Sequence, residues 1–363
     1  MRVGMVLEQA LAPVPGGTGR FAVQLAAALG ADPSIEITGW TARHRDVAAA
    51  RIPGVRGPHR LALPRRALTL AWERGVGPAP RGVDLVHAPT LQLPPRRGRP
   101  LVVTIHDAVP WTHPETLTPR GVRWHRAMAE RAVAHADAIV TPSAATAAAL
   151  ARHLRLRRSP EVVPLGVTPL PVPGDIATRA AALGLPADGY VLSLATLEPR
   201  KGLDVLMRAL ASPSGPDLPL VLVGAAGWGG VDPVQLAAGE GLAPERVRLL
   251  GRVDDDDLAV VLAAATVLAV PSRAEGFGLP VVEGMAAGVP VVTSRDPALL
   301  EVGGDAVLAA ETGDAESLAD ALRQVCTDAG LRTQLLRRGE ARAGQYSWAR
   351  CAAGYAEIFR RLV

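Results

Sequence analysis

Several residue types that are common in reactive sites and binding surfaces are rare in this chain. Its 363 residues include two cysteines, one lysine and no asparagine, and aromatic residues make up 3% of the total. Cys326 and Cys351 lie in helical patterns, so we expect reduced thiols, as in cytoplasmic proteins, and no disulfide. So few aromatic rings argue against base stacking on single strands, and we expect no nucleic-acid partner.

Long apolar runs are also absent. The longest, Leu258–Val270, is interrupted by Thr266 and is too short to span a bilayer. The apolar start of the chain has the length of one strand and meets Glu8, so we expect no signal peptide. With 48% hydrophobic and 20% charged residues the composition is that of a globular protein, and the length suits two domains. We therefore expect a cytoplasmic protein.

Charge is divided unequally along the chain. Residues 1–165 hold 22 Arg against 11 Asp and Glu, a balance of +11, whereas the remaining residues balance at −7. The first half should therefore meet an anionic partner, and we expect peripheral contact with an anionic membrane at its inner face. Residues 56–74 combine Leu and Trp72 with five Arg, which suits either an interfacial amphipathic segment or a helix with a solvated basic face.

The most informative stretch is residues 266–293. Val267–Val270 reads as a buried strand, and Gly276 and Gly278 supply a loop that a ligand can approach closely, since neither has a Cβ. Pro280 suits the first position of a following helix. A loop that opens onto a helix N-terminus presents free N–H groups and the positive end of the helix dipole, so the pattern predicts an anion site.

Two carboxylates flank this loop, Glu275 before it and Glu283 in the predicted first turn of the helix. Taken singly, they suit a solvated loop residue and a charge that complements the dipole. Taken together, eight apart around G-F-G-L-P, they resemble the E-x7-E signature of the retaining glycosyltransferase family 4. The resemblance implies that Glu283 binds the ribose of a nucleotide and that Glu275 binds hydroxyls of the transferred sugar.

The resemblance implies the GT-B fold, an α/β architecture of two Rossmann-like, doubly wound domains that face each other across a cleft. Strands expected near 190–195, 220–223, 246–250, 266–270 and 289–293 alternate with helices, as in a parallel sheet. The Pro- and Gly-rich linker T-P-L-P-V-P-G-D places a boundary near residue 168. We thus expect an acceptor-binding domain over 1–168, a nucleotide-sugar domain over 169–345, and a helix over 346–363 that crosses back to the first domain.

The segment A-T-L-E-P-R-K-G supplies the cations. Arg200 and Lys201 are predicted at the start of a helix, where cations are unfavourable unless an anion is bound, and together they suit a diphosphate. The family's common form is G-R-L-x-x-x-K-G. Here Thr196 replaces that arginine, and the E-P-R-K form resembles mannosyltransferase-like members, which leaves open which arginine holds the phosphate.

The remaining donor contacts follow from the resemblance. Thr196 lies beside the diphosphate, and the backbone near Val253 reads the nucleobase. The loop residues Gly276, Phe277, Gly278 and Leu279 complete the donor site. The aspartates 254–257 could be taken for a metal-binding motif, but we favour helix capping. The family usually dispenses with a bound metal, so we expect neither a metal nor a cofactor beyond the sugar nucleotide.

Two features of the first half also enter the predicted site. The segment G-G-T-G-R-F, with Gly16 and Gly17, suits either a plain turn or a second phosphate-facing loop before a helix that runs to about Leu29. The strand in L-V-V-T-I-H-D delivers His106 at its carboxyl end, where ligands bind in open α/β sheets. A histidine there can be purely structural, but the resemblance places His106 near the transferred sugar.

The predicted function is transfer of a hexose from a nucleotide-diphosphate sugar to a hydroxyl of a glycan, lipid-linked or small-molecule acceptor, with retention at the anomeric carbon. The catalytic set is His106, Arg200, Lys201 and Glu275. GDP-mannose is the expected donor, with UDP-glucose or UDP-N-acetylglucosamine as the alternative. An epimerase or phosphorylase of related fold, or a sugar-nucleotide or polyanion-binding protein without turnover, stays open.

Overall fold

The computed structural model describes residues 1–227 and 229–363. The chain forms two compact units, Met1–Gly166 with Ser347–Val363, and Val167–Tyr346. The first division falls after Gly166, beside the boundary expected near residue 168. Within the described residues no helix is long and apolar enough to cross a membrane.

The first unit is built on a parallel sheet whose strands follow in the order β3-β2-β1-β4-β5-β6-β7. The strands are β1 Arg2–Val6, β2 Glu36–Thr41, β3 Arg56–Arg60, β4 Leu85–Ala88, β5 Leu101–Thr104, β6 Ala138–Thr141 and β7 Glu161–Val162. Strand order reverses between β1 and β4, as in doubly wound folds. Their apolar runs are buried because parallel sheets are covered on both faces.

Helices connect these strands. They are α1 Gly16–Gly30, α2 Arg65–Glu73, α3 Val109–Thr112, α4 Pro119–His135 and α5 Ala144–His153. Ser143 caps α5 by accepting a hydrogen bond from the Thr146 N–H, as the sequence predicts. Residues 56–74 do not form one continuous element, because they are divided between β3 and α2, and Trp72 is buried in the core.

The second unit repeats the same plan, with strand order β10-β9-β8-β11-β12-β13. The strands are β8 Val191–Leu194, β9 Leu220–Val223, β10 Val247–Gly251, β11 Val267–Val270, β12 Val291–Ser294 and β13 Val307–Ala310. Order reverses between β8 and β11, and all the recorded pairings are parallel. β13 was not predicted from the sequence, and β12 begins at Val291, two residues later than expected.

The helices of this unit surround a core formed largely by Leu, Val and Ala. They are α6 Ile176–Ala182, α7 Leu203–Ala211, α8 Pro233–Gly239, α9 Asp255–Ala263, α10 Leu279–Ala286, α11 Pro297–Gly303, α12 Ala315–Thr327 and α13 Ala329–Ala343. The Asp254 side chain caps α9 by accepting from the Asp257 N–H, which confirms the capping interpretation of the aspartate run.

The last helix, α14 Trp348–Leu362, belongs to the first unit, as the family resemblance implies. It packs against α1 and buries Tyr355 and Phe359. The Tyr355 hydroxyl shares a 2.8 Å hydrogen bond with Thr104 Oγ1 at the end of β5, so the helix is tied to the sheet by a polar contact as well as by its apolar face. Cys326 and Cys351 are both unpaired thiols, as expected.

Candidate active site

The candidate active site lies where the strand order of the second sheet reverses. β8 and β11 are neighbours, so the segments that follow their carboxyl ends meet at one edge of the sheet. After β8 the chain forms a short 3-10 turn, Pro199–Lys201, and then Gly202 with φ +67°. A Cβ on Gly202 would lie 2.2 Å from the Pro271 carbonyl oxygen, so only glycine lets the two segments approach this closely.

That approach assembles a compact group of charges around Glu275. Lys201 Nζ lies 2.5 Å from Glu275 Oε1, and Arg200 Nη1 lies 2.8 Å from Glu275 Oε2. Ser272 Oγ donates a further hydrogen bond of 2.8 Å to Oε1. On its other side Arg200 donates to Glu198 Oε1 and to the Ala274 carbonyl oxygen, both at 2.7 Å. Arg200 therefore ties the two loops together through both carboxylates and the backbone.

The Glu275 carboxyl is strongly held in its ionised form. Only 9% of its side chain is exposed, and burial alone would raise its pKa. The charges of Arg200 and Lys201, with hydrogen bonds from Lys201 and Ser272, outweigh that effect and lower the pKa to about 2. Two cations thus face the carboxylates of Glu275 and Glu198, which makes this group electrically balanced.

The structure places Arg200 and Lys201 in contact with Glu275, whereas the sequence connected these residues only through the family resemblance. Arg200 and Lys201 precede helix α7 and do not form its first turn, because Gly202 separates the 3-10 turn from Leu203. The carboxylates of Glu275 and Glu198 offset the unfavourable electrostatic energy of two cations close to the N-terminus of α7. The roles predicted for Arg200 and Lys201 on a diphosphate, and for Glu275 on sugar hydroxyls, remain predictions.

The glycine loop leads into α10 as expected, with small shifts. Gly278 has φ +92° and directly precedes Leu279, the first helical residue, so Pro280 is second and Glu283 is fifth. Glu283 therefore lies in the second turn, where it is half-buried, and the placement in the first turn was wrong. Phe277 is buried and packs edge-on against the Tyr346 ring at 5.5 Å, so its side chain supports the loop.

Thr196 and Val253 both lie at the carboxyl edge of the second sheet, but they follow different strands. Thr196 follows β8 and is half-buried, whereas Val253 lies between β10 and α9. Two strand spacings separate β8 from β10, which is roughly 10 Å. That span suits a ligand that reaches from a phosphate at one end to a base at the other. In the part of the chain that the structure describes, no cluster of three or more His, Cys, Asp or Glu side chains is arranged to hold a metal ion.

The predicted residues of the first half lie in the first unit. His106 follows β5, donates from Nε2 to the Pro89 carbonyl oxygen at 2.7 Å, and meets the Phe21 ring edge-on at 4.8 Å. Burial lowers the pKa of His106, which favours the neutral imidazole. Gly16 and Gly17 begin helix α1 and do not form a loop before it, because the preceding residue, Pro15, already occupies the N-cap position.

Several polar residues at the two sheets were missed by sequence reasoning. Ser272 and Asp296 follow β11 and β12, and they support Glu275 through its carboxylate and its N–H. Glu8 follows β1 and is 2% exposed, and His87 is fully buried on β4. A polar residue directly after a short apolar run was the available signal for Ser272 and Glu8, since it marks the carboxyl end of a buried strand.

Two parallel-sheet units, each with one reversal of strand order, define an α/β protein of the doubly wound class, and comparison with known proteins identifies the family. The family model for Glycosyl transferases group 1 matches residues 178–342, and that for Glycosyltransferase Family 4 matches residues 15–169. The O-antigen chain mannosyltransferase B of Escherichia coli is 32% identical over 289 residues, 77% of this chain and 74% of that protein. The chain belongs to the family 4 glycosyltransferases and is a transferase.

A second relative matches over a smaller region. The D-inositol 3-phosphate glycosyltransferase of Saccharomonospora viridis is 37% identical over 201 residues, which is 52% of this chain and 46% of that protein. The chain therefore spans about half the length of that relative.

Solved structures with the same fold extend over the whole chain. The sucrose-phosphate synthase of Thermosynechococcus elongatus matches with a TM-score of 0.75 at 23% identity, covering 100% of this chain and 99% of that one. Anabaena Alr3699/HepE, solved in complex with UDP and glucose, matches with a TM-score of 0.76 at 22% identity, covering 100% of both chains. The fold is GT-B.

Proposed function

We propose that the chain transfers mannose from GDP-mannose to an acceptor hydroxyl, with retention at the anomeric carbon. The choice of mannose rests on the mannosyltransferase relative, because its 32% identity extends over most of both proteins. The E-P-R-K-G segment of the sequence supports the same choice. The acceptor is a glycan, a glycolipid or a small molecule.

The cations of the second unit suit the leaving group of such a reaction. The sugar C1–oxygen bond to the diphosphate breaks as the acceptor oxygen bonds to C1 on the same face, and the acceptor proton passes to the leaving phosphate oxygen. Negative charge develops on the diphosphate, so Arg200, Lys201 and the amides at the start of α10 stabilise the transition state. Because Glu275 already holds Lys201 and Arg200 in place, the donor site is pre-organised before the donor arrives.

The carboxylates of Glu283 and Glu275 bind different parts of the donor. Glu283 accepts hydrogen bonds from the ribose, and Glu275 accepts from sugar hydroxyls while it continues to orient the cations. His106 acts near the transferred sugar from the first unit. The basic first half contacts an anionic membrane surface that presents the acceptor.

A panel of nucleotides tests the donor without knowledge of the acceptor. A product that binds only the folded protein stabilises it by about 2.7 kcal/mol at a hundredfold excess over its dissociation constant. We expect a thermal shift with GDP that is larger than those with UDP, ADP and CMP, and slow release of GDP from labelled GDP-mannose. A shift with UDP alone would replace mannose by a UDP-sugar, and no shift with any nucleotide would contradict the transferase assignment to this site.

A further inference from the structure

The first unit carries a second charged group at the carboxyl edge of its own sheet. The register of β2 and β3 pairs Thr41 with Arg60, and beyond it the Arg43 N–H donates to the Leu63 carbonyl oxygen at 2.8 Å. The segments after the two strands therefore run side by side. We call their basic residues the β2–β3 cationic group: Arg43, His44, Arg45, Arg60, Arg65 and Arg66.

A buried carboxylate organises this group. Glu8 lies at the end of β1, is 2% exposed, and accepts a 2.8 Å hydrogen bond from the Ala42 N–H. His44 Nε2 donates to Glu8 Oε1 at 2.7 Å, and Arg65 Nε lies 3.5 Å from the same oxygen. Glu8 is thus fixed by the backbone and in turn holds one imidazole and one guanidinium in place, while 22% of the His44 side chain and 33% of the Arg65 side chain remain exposed.

The positive charge exceeds what the neighbouring carboxylates can balance. The group contains five arginines, whereas the acids of the same segments are Glu8 and Asp46, and Asp46 Oδ1 accepts from the Ala48 N–H. Arg60 donates to the Arg45 carbonyl oxygen at 3.1 Å, so two of the arginines lie together without an intervening acid. Arg65 and Arg66 are also the first two residues of α2, which has no acidic residue in its first turn and no capping side chain. Cations at that end oppose the helix dipole, and a bound anion would relieve the repulsion.

We propose that the β2–β3 cationic group binds a phosphate group of the acceptor substrate. The inference rests on the proposed function and deepens it, since it names an anionic acceptor. The group and His106 lie at the same edge of one sheet, and β2 and β3 are three and four strands from β5, which corresponds to roughly 14 to 19 Å. The phosphate would therefore lie at some distance from the hydroxyl that is attacked, and would orient the acceptor without taking part in bond formation. Guanidinium groups suit this task because they bind phosphate through two parallel hydrogen bonds.

Inorganic phosphate and a soluble hexose phosphate are the probes. Their dissociation constants are measured by titration calorimetry on the full chain in a Lys201→Gln background, which reduces phosphate binding at the second unit. The site variant is Arg65→Gln with Arg66→Gln. The control is Arg155→Gln with Arg158→Gln, two exposed arginines of the same unit, so both variants lose two charges. We expect the site variant to bind both probes at least about tenfold more weakly, and the control to differ from its parent by less than about twofold.

Two outcomes would overturn the proposal. An equal loss in site variant and control would mean that affinity follows net charge alone. A site variant that keeps its phosphate affinity but no longer floats with vesicles of acidic phospholipid would assign the group to a membrane surface. Nucleoside-diphosphate affinity is measured in chains that retain Lys201 and reports on the second unit. We expect it to be the same in the site variant and the control. A failure of the donor assignment is therefore seen separately from a failure of the phosphate site.

Discussion

At the scale of single residues, Glu275 shows how one side chain can be part of the fold and of the site. Its carboxylate is bonded to Lys201, Arg200 and Ser272, and its N–H lies 3.3 Å from Asp296 Oδ2. Removing a partner from a buried ion pair leaves an uncompensated charge, which is costly. The role in stability can be tested through its dependence on pH.

We expect Glu275→Gln to destabilise the protein at pH 7 by about 3 kcal/mol, because Arg200 and Lys201 lose their shared counter-charge. The folded pKa of about 2 lies below the ordinary value of 4.5, so the stabilisation by Glu275 is fully present above pH 4.5 and is lost as the pH falls towards 2. The difference in unfolding free energy between the two proteins, measured by urea titration, should therefore narrow between pH 7 and pH 3. The exposed pair Arg295–Glu311 gives the control, since Glu311→Gln should change stability by less than about 1 kcal/mol.

Glu283 offers a second test at this scale. It is half-buried in the second turn of α10, and its replacement leaves the apolar face of the helix intact. If Glu283 accepts hydrogen bonds from the ribose, Glu283→Ala should weaken nucleotide binding by roughly 1.5–3 kcal/mol without loss of the fold. Titration calorimetry with the nucleotide that the panel selects measures this, and the exposed Glu245→Ala serves as control. Unchanged affinity in Glu283→Ala would remove the assignment.

At the scale of elements, the site depends on where two loops leave neighbouring strands. β8 and β11 end side by side, and the turns that follow them interlock through Gly202 and the Pro271 carbonyl group. The Arg273 N–H donates to the Arg200 carbonyl oxygen at 2.8 Å, and the Arg273 guanidinium binds Asp204 in the first turn of α7. The loops are therefore joined by backbone and side-chain contacts before any ligand binds.

Glycine at position 202 is a sharp test of this arrangement. Gly202→Ala requires a left-handed alanine and places a Cβ 2.2 Å from a backbone oxygen, so the two turns must separate. We expect a loss of stability of about 3 kcal/mol and weaker nucleotide binding, since Lys201 moves with the turn. Gly288→Ala is the matched control, because it has φ +70° but no neighbour within 4 Å, and should cost only about 1–2 kcal/mol with nucleotide affinity retained. Equal effects in both variants would contradict the role assigned to the close approach.

At the scale of the whole molecule, the two units share a plan but differ in charge. Residues 1–165 balance at +11 and the remainder at −7, although both sheets reverse strand order at a corresponding point. The shared fold therefore does not distinguish the two units, whereas their charge does. A basic unit favours anionic partners, and in the acidic remainder Arg200 and Lys201 are paired with the carboxylates of Glu198 and Glu275.

From this charge difference we expect contact with an anionic membrane. Flotation with vesicles that contain acidic phospholipid should carry the protein upward at low salt, and the bound fraction should fall as salt screens the surface charge. Vesicles of neutral phospholipid should leave it at the bottom of the gradient. Equal behaviour with both kinds of vesicle would mean that the basic surface is only solvated, and a soluble acceptor would then be favoured.

We also expect the enzyme to act without a divalent metal. If Arg200, Lys201 and the start of α10 supply positive charge where the diphosphate leaves, turnover should persist in excess chelator. The measurement is release of nucleoside diphosphate from the donor with and without chelator, followed by addition of magnesium or manganese. Activity that disappears with chelator and returns with either metal would require a new interpretation of Asp254–Asp257.

The sequence by itself determined the elements and the order in which they follow one another. Short apolar runs separated by Gly- and Pro-rich turns predicted most of the second sheet, and the Asp run predicted a capped helix, because these signals depend on neighbours along the chain. The spacing of Glu275 and Glu283 and the E-P-R-K segment also identified the family by resemblance. The weak signals were the ones that failed, as at β13 and at the segment 56–74.

Only the tertiary structure decided which charges meet. Arg200 and Glu275 are 75 residues apart, and Glu8 and His44 lie on segments that meet only because β1 and β2 pair in one register. The sequence assigned Lys201 to a phosphate and Glu275 to hydroxyls without showing that they bind each other. A buried charge must find its partner across strands, and that partner is chosen by strand order and by close approaches such as that of Gly202 to Pro271, which no local pattern records.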